Sequence, residues 1–295
     1  MEENFDYIIV GAGSAGCVLA NKLSESKKNT VLVIEAGGKD TNLFIHMPSG
    51  YSQIVPNSSK LNYGFETEPE INTAGRKLFW PRGRGWGGSS SINAMIYTRG
   101  HSSDYDHWRQ LGNPGWSYDD VLPYFKRAEN YEGDGDEEFH GKNGPLNVKK
   151  STRNDDILLD KFVEAGSQAG FPLTKDFNGK QQEGFSRYEH TIKGSKRFSS
   201  ARAYLHPALK RKNLYTKINI TVDKVIFENK KAIGIEYIDK GKRVFCRGNK
   251  EIILSSGAVN SPQILMRSGI GDSEEIKKHG IEVIHELKGV GKNLQ

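Results

Sequence analysis

The feature that most constrains this chain is Gly11-Ala12-Gly13-Ser14-Ala15-Gly16, set between two segments of opposite character. Before it, residues 5–10 form a short run rich in aromatic and β-branched side chains, which reads as a buried strand. After it, residues 14–26 carry Cys17, Val18, Leu19 and Leu23 on one helical side. Residues 30–34 form a second apolar run. Strand, helix and strand within about 30 residues make a βαβ unit with parallel strands. In a G-x-G-x-x-G turn the first glycine permits the tight strand-to-helix turn. The second lets the backbone approach a pyrophosphate, and the third lets helix and strand pack closely. The helix N-terminus supplies free N–H groups and a positive dipole end to phosphate. Glu35 closes the second strand about 20 residues on, where a carboxylate accepts ribose hydroxyls and disfavours a 2′-phosphate.

The chain has 295 residues, enough for one large domain or two intimate ones. Its 33 glycines suggest many tight turns or close backbone approaches. The net charge of +6 is spread in short runs and reads as a solvated surface, so no nucleic-acid partner is expected. A basic face leaves peripheral contact with an acidic membrane open. Cys17 and Cys246 are the only cysteines, too few for a disulfide framework or zinc site, and a reducing compartment is expected. No secretory signal and no membrane-spanning stretch is read. The expected location is cytoplasmic, with peripheral association at an inner membrane as the alternative.

Residues 36–80 lack periodicity and read as long surface loops or a lid. A second Gly-rich stretch, 82–91, leads into a helix-compatible segment, 92–97. Trp80 and Trp86 argue against a flexible linker there. Ser117 should cap a helix over 118–130. The acidic segment 132–143 reads as a solvated loop, because Asp134-Gly135-Asp136 lacks calcium-loop spacing. Asp155 or Asp156 should start a helix running to about 169. Alternating segments at 218–227, 232–238 and 243–246 read as a β-meander. Residues 251–255 form another buried strand, with a helix expected from Pro262.

The stretch Gly83-Arg84-Gly85-Trp86-Gly87-Gly88-Ser89-Ser90-Ser91-Ile92-Asn93 offers a second close backbone approach and several polar donors. Together with the opening segment 5–16, Glu35-Ala36-Gly37-Gly38, Gly100 and Asp106, the segment 257–271 and the ends 113–118 and 289–295, it resembles the glucose–methanol–choline oxidoreductase family, in its choline and alcohol dehydrogenase branch. The resemblance covers the whole chain. It implies an α/β fold: a Rossmann-like FAD-binding domain, with a parallel sheet and a β-meander, plus an inserted loop and helix segment. Residues 1–100 would hold the βαβ unit and flavin loop. Residues 101–215 would be the insertion toward the substrate side, and 216–295 the meander and return to the FAD-binding domain. The family's C-terminal substrate domain would be absent.

The resemblance assigns Gly11, Gly13, Ser14 and Gly16 to the pyrophosphate and Glu35 to the adenosine ribose, and counts Ala36 among the cofactor-binding residues. Gly85, Gly88, Ser89, Asn93, Ala94, Met95 and Ile96 would lie near the pyrophosphate and isoalloxazine. Val222 would meet the adenine through its backbone, and Gly257 and Ala258 would sit beside the cofactor. Ile92 stands where some relatives carry a flavin-linking histidine, so FAD should be non-covalent. No catalytic residue is assigned: the family's histidine would lie beyond Gln295, and His101 and His107 read as surface residues. The implied activity is oxidation of a small primary alcohol, choline-like or aliphatic, to the aldehyde, with electrons leaving to a quinone or another carrier. An oxygen-using oxidase, or a cofactor-binding fragment inactive alone, are the alternatives. A nicotinamide enzyme would leave the second and third signatures unexplained.

Overall fold

The computed structural model describes residues 3–57, 60–150 and 156–294. Among them, five helices have eight residues or more: α1 Ser14–Leu23, α2 Ser102–Gln110, α3 Tyr118–Ala128, α4 Ile157–Gln168 and α5 Gly257–Arg267. The chain forms two compact units. The first comprises residues 1–45, 49–92 and 199–295, and the second 46–48 and 93–198.

The first unit is built on one six-stranded sheet. Its strands are β1 Glu3–Val10, β2 Val31–Ile34, β3 Leu214–Lys217, β4 Val222–Glu228, β5 Lys231–Asp239 and β6 Lys242–Leu254. The spatial order is β3-β2-β1-β6-β5-β4. Pairs among β3, β2, β1 and β6 are parallel, and β6, β5 and β4 form an antiparallel meander. Strand β2 and the end of β1 are buried on both faces, which requires continuous rather than alternating apolar sequence. Ile8, Ile9, Leu32, Val33 and Ile34 are all at most 1% exposed. On one face Ile8, Val10, Leu32 and Ile34 join Val225, Ile235 and Tyr237 in the main core. On α1, Cys17 and Ala20 are fully buried where the helix packs on β1 and β2. Each fully buried aliphatic side chain contributes about 1.5–3 kcal/mol.

Several sequence expectations change here. The runs read separately as 243–246 and 251–255 are one thirteen-residue strand, β6. Its first half pairs antiparallel with β5 and its second half parallel with β1, so the polar stretch between them does not break it. Residues 36–80 are not simply loops. They contain the short helix Tyr51–Asn57 and an antiparallel pair, Phe65–Glu66 with Phe79–Trp80. Their order comes from tertiary burial: Ile45 and Ile54 pack with Ile92. The segment 92–97 is not helical, because Met95 adopts a left-handed φ of 64° and Ile96–Tyr97 is a strand. The C-terminal helix starts at Gly257, not Pro262, which lies inside α5. Where an insertion is expected over 101–215, the second unit comprises residues 46–48 and 93–198, and β3, at 214–217, belongs to the first unit's sheet.

The second unit holds a four-stranded sheet in the order Ile96–Tyr97, Glu189–His190, Leu146–Lys150, Glu129–Glu132. Capping boxes start two of its helices. Ser117 Oγ accepts from Asp120 N–H at the start of α3, while Asp120 accepts from Ser117 N–H at 3.1 Å. His101 caps α2 in the same way and is exposed, as a surface residue should be. Helix α4 begins at Ile157, and Asp156 at its N-cap makes no side-chain cap bond. The alternative start, Asp155, lies outside the described residues.

The interior of this unit is polar. Arg99 Nη2 donates to Glu129 Oε2 at 2.9 Å. The ring of His140 lies between two carboxylates, with Nδ1 3.1 Å from Glu129 Oε2 and Nε2 2.7 Å from Asp176 Oδ2. Tyr131 stacks on that ring at 3.9 Å and donates its hydroxyl to Glu189, which also accepts from Asn178 Nδ2. The acidic segment 132–143 is exposed over most of its length, as its sequence reads, but Phe139 and His140 within it are buried. A Cβ on Gly135 would lie 2.7 Å from the His140 ring, and one on Gly133 2.6 Å from Tyr131. Glycine lets this loop close over the buried pair. Among the described residues no group of three His, Cys, Asp or Glu is placed to hold a metal.

Burial alone would lower the His140 pKa, but its bonds to Asp176 and Glu129 raise it to about 9. A raised histidine stabilises the fold fully below its unfolded value near 6.5 and loses that contribution as pH rises through the folded value. The unfolding midpoint should therefore fall between pH 7 and 9.5, with a loss on the order of 2 kcal/mol. Urea titrations across that range should show the fall in the wild type and a flattened dependence in His140→Asn. Identical profiles would show that this network does not carry the pH dependence.

Candidate functional site

The first unit contains a cavity of about 1150 Å3. It opens at the carboxyl ends of β1, β2 and β6, where strand order reverses around β1. Open parallel sheets bind ligands in that crevice. Two helices begin at its wall. Helix α1 starts after Gly13, which has no side chain with which to cap it, and α5 starts after Ser256, whose side chain makes no cap bond. The first N–H groups of a helix have no intrahelical partner, and the helix dipole makes them a site for anions.

The glycines around the cavity hold backbone against backbone. Gly11 turns the chain with φ +99°, and a Cβ there would lie 2.7 Å from Ser255 O. A Cβ on Gly16 would lie 1.9 Å from Gly11 O, so this glycine serves helix–strand packing as its place in the motif predicts. The second Gly-rich stretch is pressed onto the first. A Cβ on Gly88 would come within 2.8 Å of Gly13 Cα, and Gly87 N–H donates to Ala12 O at 2.8 Å. A Cβ on Gly37 would meet the Arg84 and Gly85 backbone at 2.4 Å.

Glu35 joins these pieces. Its Oε2 accepts from Ala12 N–H at 2.8 Å, and its Oε1 accepts from Gly37 N–H at 2.8 Å and Gly85 N–H at 3.0 Å. The residue is 6% exposed. Burial pushes the carboxyl pKa up, against the three backbone donors that favour the anion. Three donors on a group with about four lone-pair sites leave roughly one for a ligand. The main task of this carboxylate is thus to tie both glycine loops to the end of β2. Cys17 is similarly structural: its thiol donates to Ala12 O, and burial raises it to about 12.

Of the residues singled out in the sequence, Gly11, Gly13, Ser14, Glu35, Ala36, Gly88, Ser89, Val222, Gly257 and Ala258 line the cavity. Gly16 and Gly85 stand behind its wall in the contacts just described. Asn93, Ala94, Met95 and Ile96 belong to the second unit. There Asn93 Oδ1 accepts from Arg197 Nη1 and from Met95 N–H, and Ile96 pairs with His190. Sequence reasoning missed Tyr63 and Phe65, which line the cavity from a region read as loop, and Arg82 at the start of the second Gly-rich stretch. It also missed Asn219, whose left-handed φ of 59° just before β4 is a conformation that asparagine tolerates better than most residues.

Two substitutions test this geometry. Glu35→Ala orphans three buried N–H groups and should cost about 3 kcal/mol or more of stability in urea titration. An unchanged midpoint would refute the tethering role. Gly37→Ala should cost a similar amount, whereas Gly38→Ala, whose Cβ would make only an ordinary 3.7 Å contact with Asn219, should stay within about 0.5 kcal/mol. Equal effects at the two neighbours would contradict the close approach at Gly37.

Comparison with known proteins agrees with this architecture. The sequence pattern described as GMC oxidoreductase matches residues 5–295. The mitochondrial choline dehydrogenase of Homo sapiens is 47% identical over 302 residues, covering 99% of this chain and 50% of that protein. The crystal structure of pyridoxine 4-oxidase from Mesorbium loti superposes with a TM-score of 0.91 at 34% identity, over 96% of this chain and 55% of that one. An FAD-dependent oxidoreductase from Chaetomium thermophilum gives a TM-score of 0.91 at 32% identity, over 99% of this chain and 52% of that one. The chain thus spans about half the length of the curated relatives it matches. The sheet order, the glycine loops and these matches together place the chain in the GMC oxidoreductase family, with a Rossmann-like α/β fold.

Proposed function

We propose that this chain is the FAD-holding part of an oxidoreductase that converts a small primary alcohol, choline foremost, to its aldehyde. The observation that carries the proposal is the cavity of the first unit, walled by glycine backbone and by two helix N-termini. That wall fits a dinucleotide. Gly13 and Ser14 offer the N–H groups that a pyrophosphate needs, and Gly11, whose own N–H donates to Ile34 O at 2.8 Å, gives the close backbone turn, with Gly16 and Gly85 fixing the loops behind them. Val222 and Asn219 stand at the start of β4, where an adenine would be met. Glu35 and Ala36 close β2, and the lone pair that Glu35 retains suits a ribose hydroxyl. Ser89, Gly257 and Ala258 complete the wall, and Asn93 through Ile96 are assigned to the flavin end by the family resemblance. Bound FAD would supply the hydride acceptor, at flavin N5.

The choice of choline rests on the name of the human relative at 47% identity. A cationic alcohol of that kind needs an aromatic face or a carboxylate near the reacting carbon. The electron acceptor in this reading is a quinone or another carrier, with oxygen as the alternative. Among the described residues no helix is long and apolar enough to cross a membrane. Any membrane contact in this proposal is peripheral. No residue of this chain is assigned the alcohol's proton, so the chain alone should bind cofactor without turnover.

The FAD is proposed to be dissociable. Ile92, where some relatives carry the linking histidine, is 4% exposed, packs with Ile45 and Ile54, and has no nucleophile. The chain should emerge from desalting with a protein-bound flavin absorption band. Heat or acid precipitation should then release the flavin to the supernatant. Flavin retained in the pellet would overturn non-covalent binding, and the lack of any band after FAD addition would overturn the binding assignment for the isolated chain.

A further inference from the structure

Helix α5 runs along the cavity of the first unit, which both of its ends line. Gly257 and Arg267 stand about 15 Å apart at 1.5 Å of rise per residue. Gly257 belongs to the glycine wall, whereas Arg267 brings the cavity a guanidinium. The end of α5 is fixed to β4 at two points. Val225 N–H donates to Ser268 Oγ at 2.8 Å. Arg267 Nε donates to Asp223 O at 3.1 Å, and Arg267 Nη2 donates to Asp223 Oδ1. The second oxygen of Asp223 lies 3.6 Å from Arg243 Nη1. Both carboxylate oxygens therefore face arginines, and Asp223 holds Arg267 in place instead of meeting a ligand. A guanidinium gripped along its Nε–Nη2 edge has a fixed plane, and such a plane stacks on aromatic rings, nucleic-acid bases included.

The neighbouring backbone decides which part of a dinucleotide comes here. Asn219 N–H donates to Gly37 O at 2.9 Å, and Ile220 N–H to Glu35 O at 3.0 Å, so the segment leading into β4 lies beside the end of β2. With the pyrophosphate at the start of α1 and the ribose at Glu35, the base extends toward this segment and β4. Val222, Ile238 and Arg267 line the cavity on that side. Among the described residues, no aromatic side chain lines it from 219 to 267. The flat group available to a purine there is the guanidinium.

We infer that Arg267, positioned by Asp223, stacks on the adenine ring and makes the cavity select an adenine dinucleotide. The inference rests on the reading of this cavity as an FAD site. FAD and ADP are titrated into the flavin-free chain by isothermal calorimetry at fixed ionic strength. The wild type should bind both. The Arg267 side chain is 54% exposed, so its removal spares the core. Arg267→Leu should weaken FAD and ADP by the same factor, about tenfold, the scale of one lost base stack, with circular dichroism unchanged. Arg267→Lys, which keeps the charge but loses the plane, should lose severalfold for both. Asp223→Asn should weaken FAD severalfold in the wild-type background and leave Arg267→Leu unchanged, as a residue acting through Arg267 must. A wild type that binds no FAD would overturn the cofactor reading and this inference together, whereas the variants bear on Arg267 alone. Full affinity in Arg267→Leu would remove this residue from the site. Full affinity in Arg267→Lys would assign it to the phosphates by charge. A loss for FAD with none for ADP, or a wild type that binds FAD but not ADP, would place the affinity on the flavin half. Each of these three results would overturn the inference.

Discussion

The candidate site depends on one buried carboxylate. Glu35 sits at the end of β2 and accepts from the N–H groups of Ala12, Gly37 and Gly85, which belong to three different turns. A lone buried carboxylate is costly unless its lone pairs are filled, and lone buried N–H groups are costly unless accepted. Each side satisfies the other here. Because the anion is 6% exposed, solvent cannot substitute for these donors without opening the loops. The cavity wall keeps its shape because moving either glycine loop would strand both partners.

Around that anchor the wall is backbone, not side chain. Gly88 over Gly13, Gly37 over Arg84 and Gly85, and Gly16 over Gly11 are contacts that no Cβ could enter. A wall of peptide N–H groups at two helix starts recognises negative charge without presenting a charged side chain. This suits a cofactor whose pyrophosphate is the same in every turnover. The larger residues Tyr63, Phe65 and Arg82 also line the cavity.

The second unit uses the opposite strategy. Its core contains Arg99, Glu129, His140 and Glu189, all at most 6% exposed. Buried ion networks of this kind add little net stability compared with apolar packing, but breaking one member is expensive. The Gly-rich acidic segment is part of this arrangement, since Gly133 and Gly135 give the loop room to close over Tyr131 and His140. Nothing in the composition of that segment signals the burial of Phe139 and His140 near its end. Most of the segment is exposed, as its hydrophilic sequence reads, and the pairing of His140 with Asp176, 36 residues away, helps to take only that end out of water.

What the sequence determined follows from local physics. The apolar runs of β1 and β2, the glycine turn between β1 and α1, and the meander are each legible because strand period, helix period and left-handed turns are properties of neighbouring residues. Ten of the cavity-lining residues, Gly11, Glu35, Val222 and Gly257 among them, were named on that basis and on the family pattern they compose. Contacts between distant segments decided the rest. The continuity of β6 through Arg247 and Glu251 is set by its pairing with β1. The order in residues 36–80 comes from the burial of Ile45 and Ile54 against Ile92. The role of Glu35 as a tether is fixed by a bond to Gly85, 50 residues on. Such pairings depend on which surfaces the fold brings together, and a linear pattern of residue types does not encode distance in space.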